Sequence, residues 1–301
     1  LHAALPMSAT PEPGHSGIRN VSDTAHWVAV YRAMETDRRD ALFRDPYARR
    51  LAGPRGEAIV RAMPRGRSWA WPMIVRTAVM DEIILRAVNR KGVRTVANLA
   101  AGLDARPWRL DLPMKLTWLD VDLPDIQQYK REALRAETPQ CQLEWIPADL
   151  ADAAARSAVM ARIAASPGPA LVVTEGLLIY LDRQQVTALA TDLAATPNLK
   201  WWLFDIASPG LLKMMGRTWG KGVGQSAPFK FAPEEDTKFF EPSGWREVEY
   251  RSMFEESVRL KRTMRFARFW QVVGGIMTLF NPRKREEFKR FSGIVLMEKR
   301  R

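Results

Sequence analysis

Between residues 95 and 206 the chain repeats one pattern. A short, almost wholly apolar run is followed by a polar turn and then by a helical stretch. The runs fall at 95–99, 116–121, 142–146, 170–174 and 200–206; the helical stretches between them at 124–136, 151–165 and 182–194, the last with Asp182 placed as an N-cap. Strands that show no polar alternation must be buried on both faces. Helices returning the chain between them confine such a sequence to a parallel sheet covered on both sides, a doubly wound α/β fold. Upstream, Ala25, Val28, Ala29 and Ala33, then Leu42, Tyr47 and Leu51, give helical spacing over 23–52, with Asp45-Pro46 a turn or helix start within it. Ile74, Val75, Val79, Ile83, Ile84 and Ala87 do so over 69–90. After residue 208 the alternation stops. Residues 209–237 hold five glycines among basic and aromatic residues and read as a lid; 246–251 and 293–298 read as two further strands, with a basic helical stretch over 254–290 between them.

The expected organisation is a disordered leader at 1–20, a helical cap at 21–92, a core at 93–208 and 241–301, and a lid at 209–240, with the helices of 254–291 also over the site. Leu1 to Pro6 is too short for a signal h-region and no run reaches 18 apolar residues, which makes a cytoplasmic location the expectation. One cysteine, Cys141, excludes a disulfide framework or thiolate cluster and reads as inert. His2, His15 and His26 lack metal-ligand spacing, so no metal is expected.

The net charge of +12 invites a nucleic-acid reading until it is divided along the chain. Residues 1–97 carry 16 basic and 9 acidic side chains, residues 98–245 carry 15 and 18, and residues 246–301 carry 15 and 7. The predicted core is therefore acidic and its flanks basic.

In a parallel sheet ligands sit beyond the carboxyl ends of the strands. The turn at 100–104 and the residues Asp120, Asp122, Asp149, Glu175 and Asp205 all fall there. A small-residue turn lets a backbone approach a ligand, and a carboxylate ending the second strand, some 20 residues on, suits a ribose diol. On spacing alone NAD and S-adenosylmethionine both qualify. The turn reads Ala100-Ala101-Gly102-Leu103-Asp104-Ala105 and lacks the G-x-G-x-x-G of dinucleotide sites. Asp104 puts negative charge where a pyrophosphate would lie, whereas the sulfonium and ammonium of S-adenosylmethionine are cations.

Several motifs occur together and in order: the TA…A…RA-E pattern at 24–35, Arg76-Thr77 with Asp81, NLAAGLDARPWRL at 98–110, DVDLP at 120–124, Lys130, ADL at 148–150 and TEGLLIYL at 174–181. The set resembles the leucine carboxyl methyltransferase-like (PPM-type) family of S-adenosylmethionine-dependent O-methyltransferases, over roughly residues 20–300. The resemblance implies a Rossmann-like methyltransferase sheet, mostly parallel with an antiparallel last strand, under a helical cap and lid. It places Arg76 on the methionine carboxylate, a charge-assisted contact worth about 1.5–3 kcal/mol. It puts the Ala100 and Gly102 backbone beside the methionine moiety, Asp122 with Asp120 as second candidate on the ribose, Asp149 and Leu150 on the adenine edge, and Glu175 and Tyr180 on the methyl-transfer side. Ala100 stands where the family usually has the first glycine of G-x-G.

The expected reaction is methyl transfer to a carboxylate or acidic hydroxyl of a small molecule, since a carboxylate needs no base. His26 is the candidate base for a hydroxyl, and Trp27, Trp219 and Trp245 are candidates for an aromatic acceptor pocket. A protein C-terminal carboxylate, an RNA acceptor and a nucleoside-binding protein without methyl transfer are the rival readings; the sequence holds no recognisable RNA-binding module. Phe266, Phe269, Trp270, Val273, Met277 and Phe280 fall at near-helical spacing in the basic stretch 259–290, which could rest on an anionic membrane surface and admit a lipophilic acceptor. A packed lid helix is the other reading of that stretch.

Overall fold

The computed structural model describes residues 21–63, 66–219, 228–263 and 282–300. Seven strands form one sheet: β1 (Thr95–Leu99), β2 (Thr117–Asp122), β3 (Gln142–Pro147), β4 (Ala170–Thr174), β5 (Leu199–Ala207), β6 (Trp245–Ser252) and β7 (Ser292–Lys299). Their order is β3-β2-β1-β4-β5-β7-β6. The first five are mutually parallel, and β7 runs antiparallel to β5 on one side and β6 on the other. Every residue of the central strands β1 and β4 is buried, as the unbroken apolar runs require.

Alternation along β5 shows how both faces fill. Trp202 and Phe204 join Val159 and Ile163 of α6 (Ala153–Ala164) and Val186 and Leu189 of α7 (Arg183–Ala195) on one face. Trp201 and Leu203 join Val75, Val79 and Ile83 of α3 (Ala70–Lys91) on the other. Asp182 caps α7 as its sequence predicts: its carboxylate accepts the Gln185 N–H at 2.8 Å and the Gln185 side chain accepts the Asp182 N–H at 2.9 Å. No described helix is long and apolar enough to cross a membrane.

The stretch 23–52 is two helices, with the turn or helix start expected at Asp45-Pro46 falling just before the second. α1 (Val21–Thr36) stops, and α2 (Ala48–Ala62) begins after a loop. Side chains from the last turn of α1 hold that loop: Glu35 accepts the Leu42 N–H at 2.7 Å, Thr36 Oγ1 accepts the Asp45 N–H at 2.9 Å, and Arg32 pairs with the buried Asp45 at 2.9 Å. α2 is kinked at Gly53, whose φ of 57° favours glycine; a Cβ there would lie 2.8 Å from the Tyr129 hydroxyl. α1 and α2 pack with α4 (Arg106–Arg109) and α5 (Pro124–Ala133) in a third apolar cluster around Trp27, Trp108 and Ile126.

Beyond β5, residues 209–219 form α8 (Pro209–Trp219), where the sequence reads as glycine-rich lid. The basic stretch contributes α9 (Met253–Arg259) and α10 (Pro282–Lys289). The apolar residues at 266–280 that carry the membrane reading lie outside the described residues.

Candidate active site

Parallel strands deliver all their carboxyl ends to one edge, and there a cavity of about 860 Å³ opens. The turn after β1 brings Ala100, Ala101 and Gly102 to its wall. Both Ala100 (φ 54°) and Gly102 (φ 52°) adopt the left-handed region, which costs an alanine about 1–2 kcal/mol. A Cβ on Gly102 would lie 3.0 Å from the Cβ of Ala25, so the turn sits close beneath α1. At the end of β2 the Asp122 carboxylate accepts the N–H of Gly102 at 2.5 Å and of Leu123 at 2.7 Å, which fixes it on the wall with lone pairs to spare. Burial pushes its carboxyl up, against the pull of those two donors. Beyond β3, Asp149 accepts the Ala151 N–H at 2.9 Å and lies beside Leu150, both on the wall.

The middle of the cavity, over β1, β4 and β5, is an ion-pair lattice. Arg76 on α3 donates from Nε to Glu175 at 2.9 Å and from Nη1 to Asp205 at 3.2 Å. Arg106 donates to the other Glu175 oxygen at 2.7 Å, to Asp104 at 2.9 Å and to Asp81 at 2.6 Å. Arg109 makes a bidentate pair with Asp81 at 2.6 and 2.9 Å. Asp205 also accepts the Gly176 N–H at 2.6 Å. Burial pushes the Glu175 carboxyl up, but Arg106 and Arg76 outweigh it and hold the group below its ordinary value. Asp104 is treated the same way by Arg106, Arg109 and Arg32 and falls to about 2.

The structure brings Arg76, Ala100, Gly102, Asp122, Asp149, Leu150, Glu175 and Tyr180 together on the wall, with Asp205 and Trp27 beside them. Tyr180 is bonded to Thr24 of α1 and its ring lies 5.7 Å from that of Phe229; burial pushes its phenol up.

Three expectations need correction. Asp120 shares a sheet face with Asp122 but lies one pleat deeper, where Lys130 of α5 covers it. The two form a salt bridge at 2.7 Å with neither side chain exposed, and Asp120 does not line the cavity. His26 turns the opposite way from Ala25 and Val28: its Nδ1 is 3.0 Å from the Ala52 carbonyl and its ring packs edge-on to Tyr129. It is not on the wall and cannot serve as base there. Trp245 belongs to the core, donating to the Ala190 carbonyl at 2.9 Å and stacking edge-on to Trp202. The Trp219 side chain lies outside the described residues. Cys141 is buried, and burial pushes its thiol up to about 12.

Sequence reasoning assigned no role to Asn98, Thr77 or Arg106, although all three stand inside the quoted motifs. All line the cavity, and Asn98 Oδ1, Thr77 Oγ1 and Arg106 Nη2 are buried with no partner among the described residues. Unpaired buried polar atoms on a cavity wall fit a ligand rich in hydrogen-bonding groups. The sign of the wall narrows that ligand further. Among the described residues of the wall, Asp104, Asp122, Asp149, Glu175 and Asp205 face Arg32, Arg76 and Arg106, five carboxylates against three guanidiniums. Such a wall repels a pyrophosphate and favours a cationic nucleoside.

That preference, on a doubly wound sheet with an antiparallel seventh strand, defines a Rossmann-like S-adenosylmethionine-dependent methyltransferase. Known proteins narrow the class. The family model for leucine carboxyl methyltransferase matches residues 25–194, and the chain belongs to that family. A Frankia alni protein named as an S-adenosyl-L-methionine-dependent methyltransferase is 31% identical over 237 residues, 74% of this chain and 82% of that protein. A similarly named protein of Mycobacteroides abscessus is 35% identical over 191 residues, 58% of this chain and 61% of the relative. The fold is shared with the crystal structure of a DUF574 family protein from Streptomyces avermitilis, with a TM-score of 0.54 at 14% identity, covering 91% of this chain and 97% of that one. The family match ends within α7, before β5 begins.

Proposed function

We propose that this protein is an O-methyltransferase whose acceptor is a carboxylate or an acidic hydroxyl of a small molecule. One observation carries the reading: none of Glu175, Asp205, Tyr180 and His26 is placed to act as a strong general base. Both Glu175 oxygens are held by guanidiniums, Asp205 by Arg76 and the Gly176 N–H, Tyr180 is bonded to Thr24, and His26 points elsewhere. An acceptor in such a site must arrive already ionised.

S-adenosylmethionine, when bound, supplies a methyl group made electrophilic by its sulfonium. Arg76 would hold its methionine carboxylate, Asp122 its ribose hydroxyls, and Asp149 with the Leu150 backbone its adenine edge. The Ala100 to Gly102 backbone would bound the methionine moiety. Glu175, kept ionised by Arg76 and Arg106, would add negative charge near the reacting centre without taking a proton. The chain's contribution to rate is then orientation and the exclusion of water from a deep, largely carbon-walled cavity.

Incubation with methyl-labelled S-adenosylmethionine and a panel of carboxylic acids and phenols tests this. Label is expected in methyl esters, released as methanol by alkali, or in aryl ethers of acidic phenols. Label carried instead on nitrogen, on carbon, on RNA or on a polypeptide C-terminus would overturn the small-molecule O-methyl reading.

A further inference from the structure

The position of each strand in the sheet converts to distance along the cavity. Neighbouring strands lie about 4.8 Å apart, so the end of β5 stands about 14 Å from the end of β2, across β1 and β4. The nucleoside-binding candidates Asp122, Asp149 and Leu150 all follow β2 and β3, at one end. The lattice around Glu175 and Arg76 lies over β1, β4 and β5. What lies at the other end is set by an accident of topology. Because β7 is antiparallel, Ala207 at the end of β5 pairs with Ser292 at the start of β7, and Ser252 at the end of β6 pairs with Gly293. The chain therefore leaves β5, leaves β6 and enters β7 all at the cavity edge.

The described side chains that these crossings bring to the cavity wall are almost all apolar. α8 presents Leu211, Met214 and Met215, spaced i, i+3 and i+4 on one helical face. α9 presents Phe254, and α10 with the residue pair after it presents Phe288 and Phe291. The Phe254 and Phe288 rings meet edge-to-face at 4.9 Å, and Phe291 packs against Gly210, where a Cβ would come within 3.1 Å of its ring. All six residues line the cavity, with Met214 42% exposed and Phe288 44%. Methionine adapts its shape to an apolar guest at little cost.

We infer that the acceptor is an amphipathic acid. Its ionised oxygen meets the methyl group over β4, and its apolar tail lies over β5, β7 and β6 in a subsite made by Leu211, Met214, Met215, Phe254, Phe288 and Phe291. This rests on the O-methyl reading above and adds the substrate's shape and polarity. The tail binds by leaving water, so affinity grows with the number of buried methylenes until the subsite is full.

The test is a homologous series of straight-chain carboxylic acids offered to the full-length protein with S-adenosylmethionine, reading kcat/KM for ester formation. Each added methylene should raise kcat/KM about three- to four-fold over the middle of the series. Met215→Asp and, independently, the exposed Met214→Asp should flatten that slope. Both should leave S-adenosylhomocysteine affinity, measured by calorimetry, within two-fold of the parent; an unchanged melting temperature shows that each variant is folded. Esterification that is indifferent to chain length, or a slope that survives in both variants, overturns the subsite while leaving the O-methyl reading intact. If no acid or phenol is methylated although S-adenosylhomocysteine binds, it is the O-methyl reading itself that fails.

Discussion

The two ends of the cavity are held together by different physics. Over β1 to β4 the wall is charge held by charge: Arg106 alone contacts Asp81, Asp104 and Glu175, and Arg76 links Glu175 to Asp205. Geometry there is tightly specified, because an ion pair in a buried setting loses its value with a small displacement. Over β5 to β6 the wall is methionine and phenylalanine, where contacts are non-directional and one side chain can move to accommodate another. The matched family stretch, residues 25–194, contains the first end except Asp205 and stops short of the second. On the proposed reading, the rigid end takes a cofactor of fixed shape and the adaptable end the acceptor.

The largest effect should come from breaking the charged end. Arg106→Ala leaves three buried carboxylates short of a partner and is expected to cost about 3–5 kcal/mol, read as a fall in the urea midpoint. Met214→Ala, at the other end, should move that midpoint hardly at all. If the two variants lose similar stability, the contrast between the ends is wrong. Arg76→Ala should weaken S-adenosylhomocysteine binding about ten- to hundred-fold, the loss of about 1.5–3 kcal/mol of charge-assisted bonding, seen by calorimetry. Its chain-length slope should persist.

Acid should reach the same end of the site. The Asp104 carboxyl, at about 2 in the fold against an ordinary 3.8, contributes stability that is present above the ordinary value and lost as pH falls through about 2, an effect of about 2 kcal/mol. Asp104→Asn should flatten the fall in urea midpoint below pH 4. Smallest is Ala100→Gly. It removes left-handed strain of about 1–2 kcal/mol and loses about 0.5–1 kcal/mol to backbone entropy, so melting should rise by a degree or two at most.

Much of this was legible in the residues themselves. Fully buried parallel strands carry no polar alternation, so β1 and β4 are plain in the text to the residue, and the carboxylates that end β2, β4 and β5 follow from the fold's geometry. What was not legible depended on contacts between distant elements. Asp120 and Asp122 differ by one pleat, and only the reach of Lys130, ten residues on, separates a structural ion pair from a candidate ligand. His26 sits beside Ala25, yet one residue on a helix turns a side chain by about 100°, away from the cavity. Local spacing cannot say which helical face meets the sheet. Arg106 joins three carboxylates from α3, from the turn after β1 and from the end of β4, a convergence that no local pattern announces. The break between α1 and α2 is marked in the sequence by Asp45-Pro46, but the bonds that hold it, such as Arg32 to Asp45, form only once the loop has folded back.

The strand order carries one more consequence, for the order in which the molecule is made. β6 lies at the edge of the sheet and pairs only with β7, which is the strand synthesised after it. A ribosome that has completed β6 has produced a strand with nowhere to pair until residues 292–299 emerge and slide between it and β5. The cofactor end, whose strands β1 to β4 are contiguous in both sequence and sheet, needs no such wait. The proposed acceptor subsite is thus completed only after the cofactor end. A nascent chain stalled before β7 should already recognise a nucleoside while having no place for the molecule it modifies.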